Sequence, residues 1–336
     1  MRIGYLTTLL IAAPLLLVGC VSMALPKVPV RLSAAEASPS LAGIELSGWE
    51  AGRAGLQQEF LDRIYGELPP PQPARILSQG LIEAQAFDGQ GRIEQYTLDL
   101  SGIQTHLVVV LPNAGEAPFP TIILQMFCGN RAALGGREDI APPATAHAPE
   151  CDGGVQDVPI RMIFGRYIME PPMTDILAHG FAIALIYPGD IVPDHPVAGS
   201  ERLDELVPGQ ASGAIGAWAW VYSRVVDVLD SDARFDNART AVWGHSRNGK
   251  SALLAGALDQ RIDLVIAHQA GTGGTALTRT GIGESVEAIT TEYPHWFAPA
   301  YAGYADEPAS IPIDQHQLIA LMAPRPVLIG GGWRDQ

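Results

Sequence analysis

Apolar spacing divides the chain into an early run of strands and a later alternation of strands and helices. Leu56, Phe60, Leu61 and Ile64 recur near helical spacing behind Ser47, which predicts a helix capped by Ser47 and stopped by Pro69-Pro70-Pro71. Residues 93–100 alternate apolar and polar, the period of a half-buried strand, while 105–111 and 121–127 are continuous apolar runs of strand length. Then come an apolar strand at 182–187, a helix at 211–230 carrying Trp218, Trp220, Val225 and Val228, and a short strand at 240–243. A helix at 246–257 and strands at 264–267 and 326–329 complete the series. Antiparallel-looking strands followed by strand–helix alternation predict an α/β chain with a mostly parallel central sheet covered by helices on both faces, a three-layer sandwich.

The first twenty residues follow another logic. MRIGYLTTLLIAAPLLLVGC starts basic at Arg2, runs apolar and stops at Leu17-Val18-Gly19-Cys20. The run is too short for a comfortable transmembrane span and reads as a secretory signal. Its last four residues resemble a bacterial lipoprotein box, in which Cys20 is lipidated and becomes the new N-terminus; an ordinary signal with an incidental cysteine is the alternative. Lipid chains tether a soluble domain to a membrane without spanning it. Val21 and Ser22 follow, with no Asp, which points to the outer membrane of a bacterial cell envelope. Residues 1–19 are therefore expected to be a signal peptide, 20–45, rich in Pro, Ala and Ser, a flexible tether, and 46–336 the folded domain.

Composition narrows the partners. The chain has 336 residues, 47% of them hydrophobic, enough for one large core or two modest ones, and its net charge of −15 leaves nothing to neutralise a nucleic-acid backbone. No Cys/His set has zinc spacing and no phosphate-binding glycine loop occurs, so neither a metal nor a cofactor is expected. Cys128 and Cys151 would lie in an oxidising compartment, which permits a disulfide that their spacing does not establish.

Candidate chemistry centres on AVWGHSRNGK, residues 241–250. Gly244-His245-Ser246 matches the start of a G-x-S-x-G nucleophile elbow, but the second glycine, Gly249, comes one place late. A helix-capping serine is the simpler reading of Ser246. The strand before it and the helix straight after it are, however, the setting an elbow requires. There the serine sits at the apex of a sharp turn, and the amides of the following helix can receive an oxyanion.

GHSRNGKSAL also resembles the signature of the glucuronoyl esterases, carbohydrate esterase family 15. The likeness extends through Phe127-Cys128-Gly129-Asn130, Tyr187-Pro188-Gly189-Asp190-Ile191 with Pro193-Asp194, and Ile215-Gly216-Ala217-Trp218-Ala219-Trp220. It continues through Gly271-Thr272-Gly273-Gly274, Pro294-His295-Trp296-Phe297, Asp314-Gln315-His316 and Ala323-Pro324-Arg325-Pro326. The resemblance implies an α/β-hydrolase fold with Ser246 as nucleophile and Arg247 adding its guanidinium to the oxyanion hole. It implies that Lys250, Glu284 and Glu292 bind the glucuronate. Without it, Arg247 would read as a surface ion pair, Lys250 as an exposed helix lysine, and both glutamates as solvated acids.

The resemblance also constrains the acid and the base. Gln269 stands where fungal members carry the triad acid, and Asp335, in Gly332-Trp333-Arg334-Asp335-Gln336, fits the bacterial position instead. The family's histidine follows the acid, and only Gln336 follows Asp335. His245, His268, His295 and His316 all precede it, which makes them poor bases by topology. The sequence therefore reads as incomplete at its C-terminus, and the 336-residue chain is expected to be nearly inactive. The implied activity is serine-dependent cleavage of the ester between the 4-O-methyl-glucuronate of glucuronoxylan and lignin alcohols, by a monomer anchored through Cys20. An acetyl-xylan or other carbohydrate esterase is one alternative, and a non-catalytic carbohydrate-binding lipoprotein the other.

Overall fold

The computed structural model describes residues 48–145, 151, 167, 170–209, 211–280 and 283–331. The signal, the tether, Cys20 and Asp335 lie outside the described residues. In chain order the elements are α1 (Trp49–Phe60), β1 (Arg75–Ala86), β2 (Gly91–Leu100), β3 (Ile103–Pro112), β4 (Phe119–Gln125), α2 (Gly129–Ala133), α3 (Met173–Ala178), β5 (Ala182–Ile186) and α4 (Pro196–Leu206). There follow α5 (Ala214–Asp230), β6 (Phe235–His245), α6 (Arg247–Leu258), β7 (Leu264–His268), α7 (Val286–Glu292), α8 (Pro299–Ala302), α9 (Gln315–Ala320) and β8 (Val327–Gly330).

The strands form one sheet in the order β1-β2-β3-β5-β4-β6-β7-β8. β1, β2, β3 and β5 pair antiparallel in succession, and β5, β4, β6, β7 and β8 pair parallel. Alternation along each central strand feeds two cores. Leu107, Val109, Ile123, Ala184 and Ile186 face one core, with α5, α6 and α9; Val108, Val110, Leu124, Ile183 and Leu185 face the other, with α2 and α3. Both faces are covered, which is why these strands are written as continuous apolar runs rather than alternating ones. The α/β-hydrolase architecture expected from the sequence is the one observed.

Several elements differ from the sequence reading, among them β6, which begins at Phe235 rather than at 240. The first helix extends through a π-helical turn, Leu61–Tyr65, and ends at Gly66, before the prolines. Gly66 has φ +80°, and a Cβ there would overlap the backbone of Ala211 and Ser212, so the chain needs glycine at that crossing. α5 starts at Ala214 rather than 211, because Ala214 and Ile215 donate their N–H groups to His295 O and Trp296 O. β1 was not foreseen: most of its positions are exposed, so burial imposes no hydrophobic period on it.

Candidate active site

β6 runs directly into α6, and Ser246 is the hinge between them. Its φ of 53° and ψ of −122° are rare for a residue with a Cβ, a strain of about 1–3 kcal/mol that the surroundings must hold. The Ser246 N–H donates to His268 O at 2.8 Å, and its carbonyl accepts from Gly249 N at 2.9 Å and Lys250 N at 3.0 Å. A Cβ on Gly244 would collide with the Asn248 carbonyl. One on Gly249 would lie 3.1 Å from both Gly244 O and His268 O, and 3.2 Å from the Ala270 Cβ. The late glycine thus relieves the same crowding between helix and strands. Ser246 makes no side-chain capping bond, so capping does not explain it.

Arg247 occupies the first helical position. Its Nε lies 2.7 Å from Asp194 Oδ2, and its Cζ sits 4.4 Å from the centroid of the Phe127 ring. The ion pair that was the alternative reading of Arg247 is formed, but both side chains are half-buried rather than on the surface. Asp194 Oδ1 accepts from His295 Nε2 at 2.9 Å and Trp296 Nε1 at 2.7 Å. Burial pushes the Asp194 carboxyl up. Hydrogen bonding by His295, the Arg247 charge and the Trp296 N–H outweigh that and hold it below the ordinary aspartate range. Cys128, next to Phe127, is bonded to Cys151, with Cα atoms 5.0 Å apart, so the disulfide that the sequence only permitted is formed.

Lys250, one turn further along α6, is 3% exposed, which overturns the exposed-lysine alternative. Its Nζ donates to Ala270 O at 2.6 Å and Thr272 O at 2.7 Å. Gly271 between them has φ +51° and turns these carbonyls onto one cation. The Thr272 hydroxyl in turn donates to the Glu284 carbonyl. Glu284 and Glu292 are exposed, as solvated acids would be, yet the Glu284 charge is coupled to this lysine and to Glu292. Partial desolvation first, and the charge of Glu292 second, raise the Glu284 carboxyl above its ordinary value, against the pull of Lys250.

The histidines near the elbow have other partners. His245 Nε2 is 2.7 Å from Gln269 Oε1, and the rings of His245 and His268 lie 4.9 Å apart. His268 packs on Gly330, where a Cβ would overlap its ring. His316 lies on α9, whose N-terminus is closed by a capping box from Asp314 and Gln317, so Asp314-Gln315-His316 is in part a helix-start motif. A cavity of about 350 Å³ opens beside the elbow between Trp243, His245, His268 and Leu328, but Ser246, Arg247 and Lys250 do not line it. Among the described residues, no group of three or more His, Cys, Asp or Glu side chains could hold a metal ion.

Sequence reasoning missed Asp194, Tyr293 and the roles of His295 and Trp296. Tyr293 stacks on Trp296 with ring centroids 3.8 Å apart, and its hydroxyl is raised by burial and then by the charges of Glu292 and Glu284. Pro193-Asp194 and Pro294-His295-Trp296-Phe297 were visible as motifs, but not their convergence.

Comparison with known proteins supplies the context. A family model described as "Glucuronyl esterase, fungi" matches residues 199–335. A carbohydrate esterase from an unknown prokaryotic organism is 32% identical over 295 residues, covering 84% of this chain and 68% of that protein. The 4-O-methyl-glucuronoyl methylesterase of Hypocrea jecorina is 38% identical over 129 residues, covering 35% of this chain and 28% of the fungal protein. Among solved structures, a glucuronoyl esterase from Solibacter usitatus superimposes with a TM-score of 0.74 at 28% identity, over 89% of this chain and 81% of that one. A promiscuous CE15 esterase from a marine bacterial metagenome gives 0.72 at 29% identity, over 86% and 76%.

Proposed function

The chain belongs to carbohydrate esterase family 15, the glucuronoyl esterases, and from that premise we propose that it hydrolyses esters of 4-O-methyl-glucuronate on glucuronoxylan with lignin alcohols. The observation that carries this reading is the strained Ser246 at a strand–helix elbow, followed within one turn by two positioned cations.

The mechanism follows from the elements present. Ser246 Oγ attacks the C6 carbonyl of the uronate, and the carbonyl π electrons move onto oxygen. The amides of Arg247 and Asn248 precede the helical ladder, which starts with Gly249 N on Ser246 O, and with the Arg247 guanidinium they receive that charge. The C–O bond to the alcohol then breaks, the alcohol leaves with the proton that the general base took from Ser246 Oγ, and a glucuronoyl-serine remains for water to cleave. Asp335 is assigned as the acid that orients the general base. Lys250, Glu284 and Glu292 form the polar wall for the sugar hydroxyls.

Turnover of benzyl glucuronate by the purified full-length protein tests the reading. Ser246→Ala should lower kcat by about 10⁴ or more. Acetylated xylan turned over well and benzyl glucuronate not at all would favour the acetyl-xylan alternative, and binding without turnover the carbohydrate-binding one. We further propose attachment to the bacterial cell envelope through a lipid on Cys20, supported by Leu17-Val18-Gly19-Cys20. The protein should then partition into detergent-extractable membrane, and Cys20→Ala should abolish that; wild-type protein found free in the periplasm would contradict it.

A further inference from the structure

An oxyanion donor on a long flexible side chain works only if its geometry is fixed before the charge develops. Arginine has about 2 kcal/mol of rotamer entropy to lose, and α6 alone does not remove it. Two contacts do. The Asp194 carboxylate, 2.7 Å from Nε, fixes the guanidinium in its own plane, and the Phe127 face, 4.4 Å from Cζ, fixes the plane itself. Among the described residues, the two terminal amino groups of Arg247 have no hydrogen-bond partner and remain available to a substrate oxygen.

Asp194 is itself rigidly built. Its two oxygens divide the work: Oδ2 takes Arg247, and Oδ1 takes His295 and Trp296. A carboxylate only accepts, so the His295 proton involved in this contact must sit on Nε2. Trp218 Nε1 donates to Val192 O at 2.9 Å and ties down the loop that carries Asp194. The carbonyls of His295 and Trp296 receive the first amides of α5. Three sequence motifs with no assigned chemistry therefore build the surroundings of one carboxylate, one by carrying it, one by donating to it and one by holding the backbone of the other two.

We propose that Asp194 is the positioning residue of this esterase: it holds the Arg247 guanidinium at the oxyanion, and the His295–Trp296 pair holds Asp194. The proposal rests on the serine-esterase reading above, and it does not place Asp194 in contact with substrate. Asparagine cannot substitute, because it has one acceptor oxygen where donors converge from both sides.

A double-mutant cycle tests it on benzyl glucuronate. Asp194→Asn should lower kcat by about tenfold to a hundredfold with KM nearly unchanged. In an Arg247→Ala background the same substitution should cost nothing further. Trp296→Phe keeps the ring stacked on Tyr293 but deletes one donor to Oδ1; it should give a smaller loss that also vanishes without Arg247, and it keeps the test decisive if Asp194→Asn does not fold. A readout independent of turnover is the Arg247 Nε–H proton in NMR. It should be protected in the wild type and exchange at least about tenfold faster in Asp194→Asn. Equal losses in both backgrounds, or an Nε–H equally exposed with and without Asp194, would overturn the proposal. Turnover surviving in Ser246→Ala would instead overturn the nucleophile assignment, while the proton-exchange result would still decide whether Asp194 fixes Arg247.

Discussion

Arg247 and Lys250 leave the same helix one turn apart, yet they are held in opposite ways. Arg247 keeps a quarter of its side chain exposed and is fixed by a charged partner and an aromatic face. Lys250 is buried and fixed by two neutral backbone carbonyls. A cation paired with a carboxylate is oriented, and in the proposed mechanism its remaining donors meet the charge that develops in the transition state. A cation held by carbonyls keeps its full charge, and it can act on a substrate group, or a neighbouring acid, present throughout the reaction. The first arrangement suits kcat and the second suits substrate selection.

The largest break in this comparison should come from exchanging the two losses. Arg247→Ala should reduce kcat by about 10²–10³ on every ester tested, with little change in thermal stability. Lys250→Met should raise KM for glucuronate esters and spare simple acetate esters. It should also lower the unfolding temperature by a few degrees, because the carbonyls of Ala270 and Thr272 lose their buried donor. Equal losses on both ester classes in Lys250→Met would assign that lysine to structure alone.

A smaller effect sharpens the Lys250 side. The Glu284 carboxyl is raised by desolvation and by Glu292, so its ionised form is lost at a higher pH than in a free chain. Glu292→Gln removes the like charge and lowers the Glu284 value. The ionised form then survives to more acidic pH, and the acid limb of kcat/KM on glucuronate should move to lower pH. A limb that stays in place, or moves upward, would show that Glu284 does not govern it.

How much of this was written in the sequence differs from region to region. The central strands were legible because burial on both faces leaves only apolar residues along β3, β4 and β5. The elbow was legible because a strand, a glycine and a helix cannot meet so tightly by chance, and Gly249 proved to serve the crowding its position implied. β1 was not, since an exposed edge strand carries no burial period. The depth of Lys250 was not, since a lysine in a first helical turn gives no sign that a glycine turn after β7 will fold two carbonyls onto it. Nor was Asp194, whose role exists only where the loop after β5, the segment before α8 and the start of α6 come together.

The central claim is covalent attack by Ser246, and the most direct measurement is to trap its product. The purified full-length protein is mixed with benzyl glucuronate, quenched in acid at short times and digested, and the peptide spanning residues 246–250 is read by mass spectrometry. The account predicts a glucuronoyl group on Ser246, formed as benzyl alcohol is released and absent from Ser246→Ala. Benzyl alcohol released in step with free glucuronate, with the adduct on another residue or the Ser246→Ala protein equally active, would contradict it.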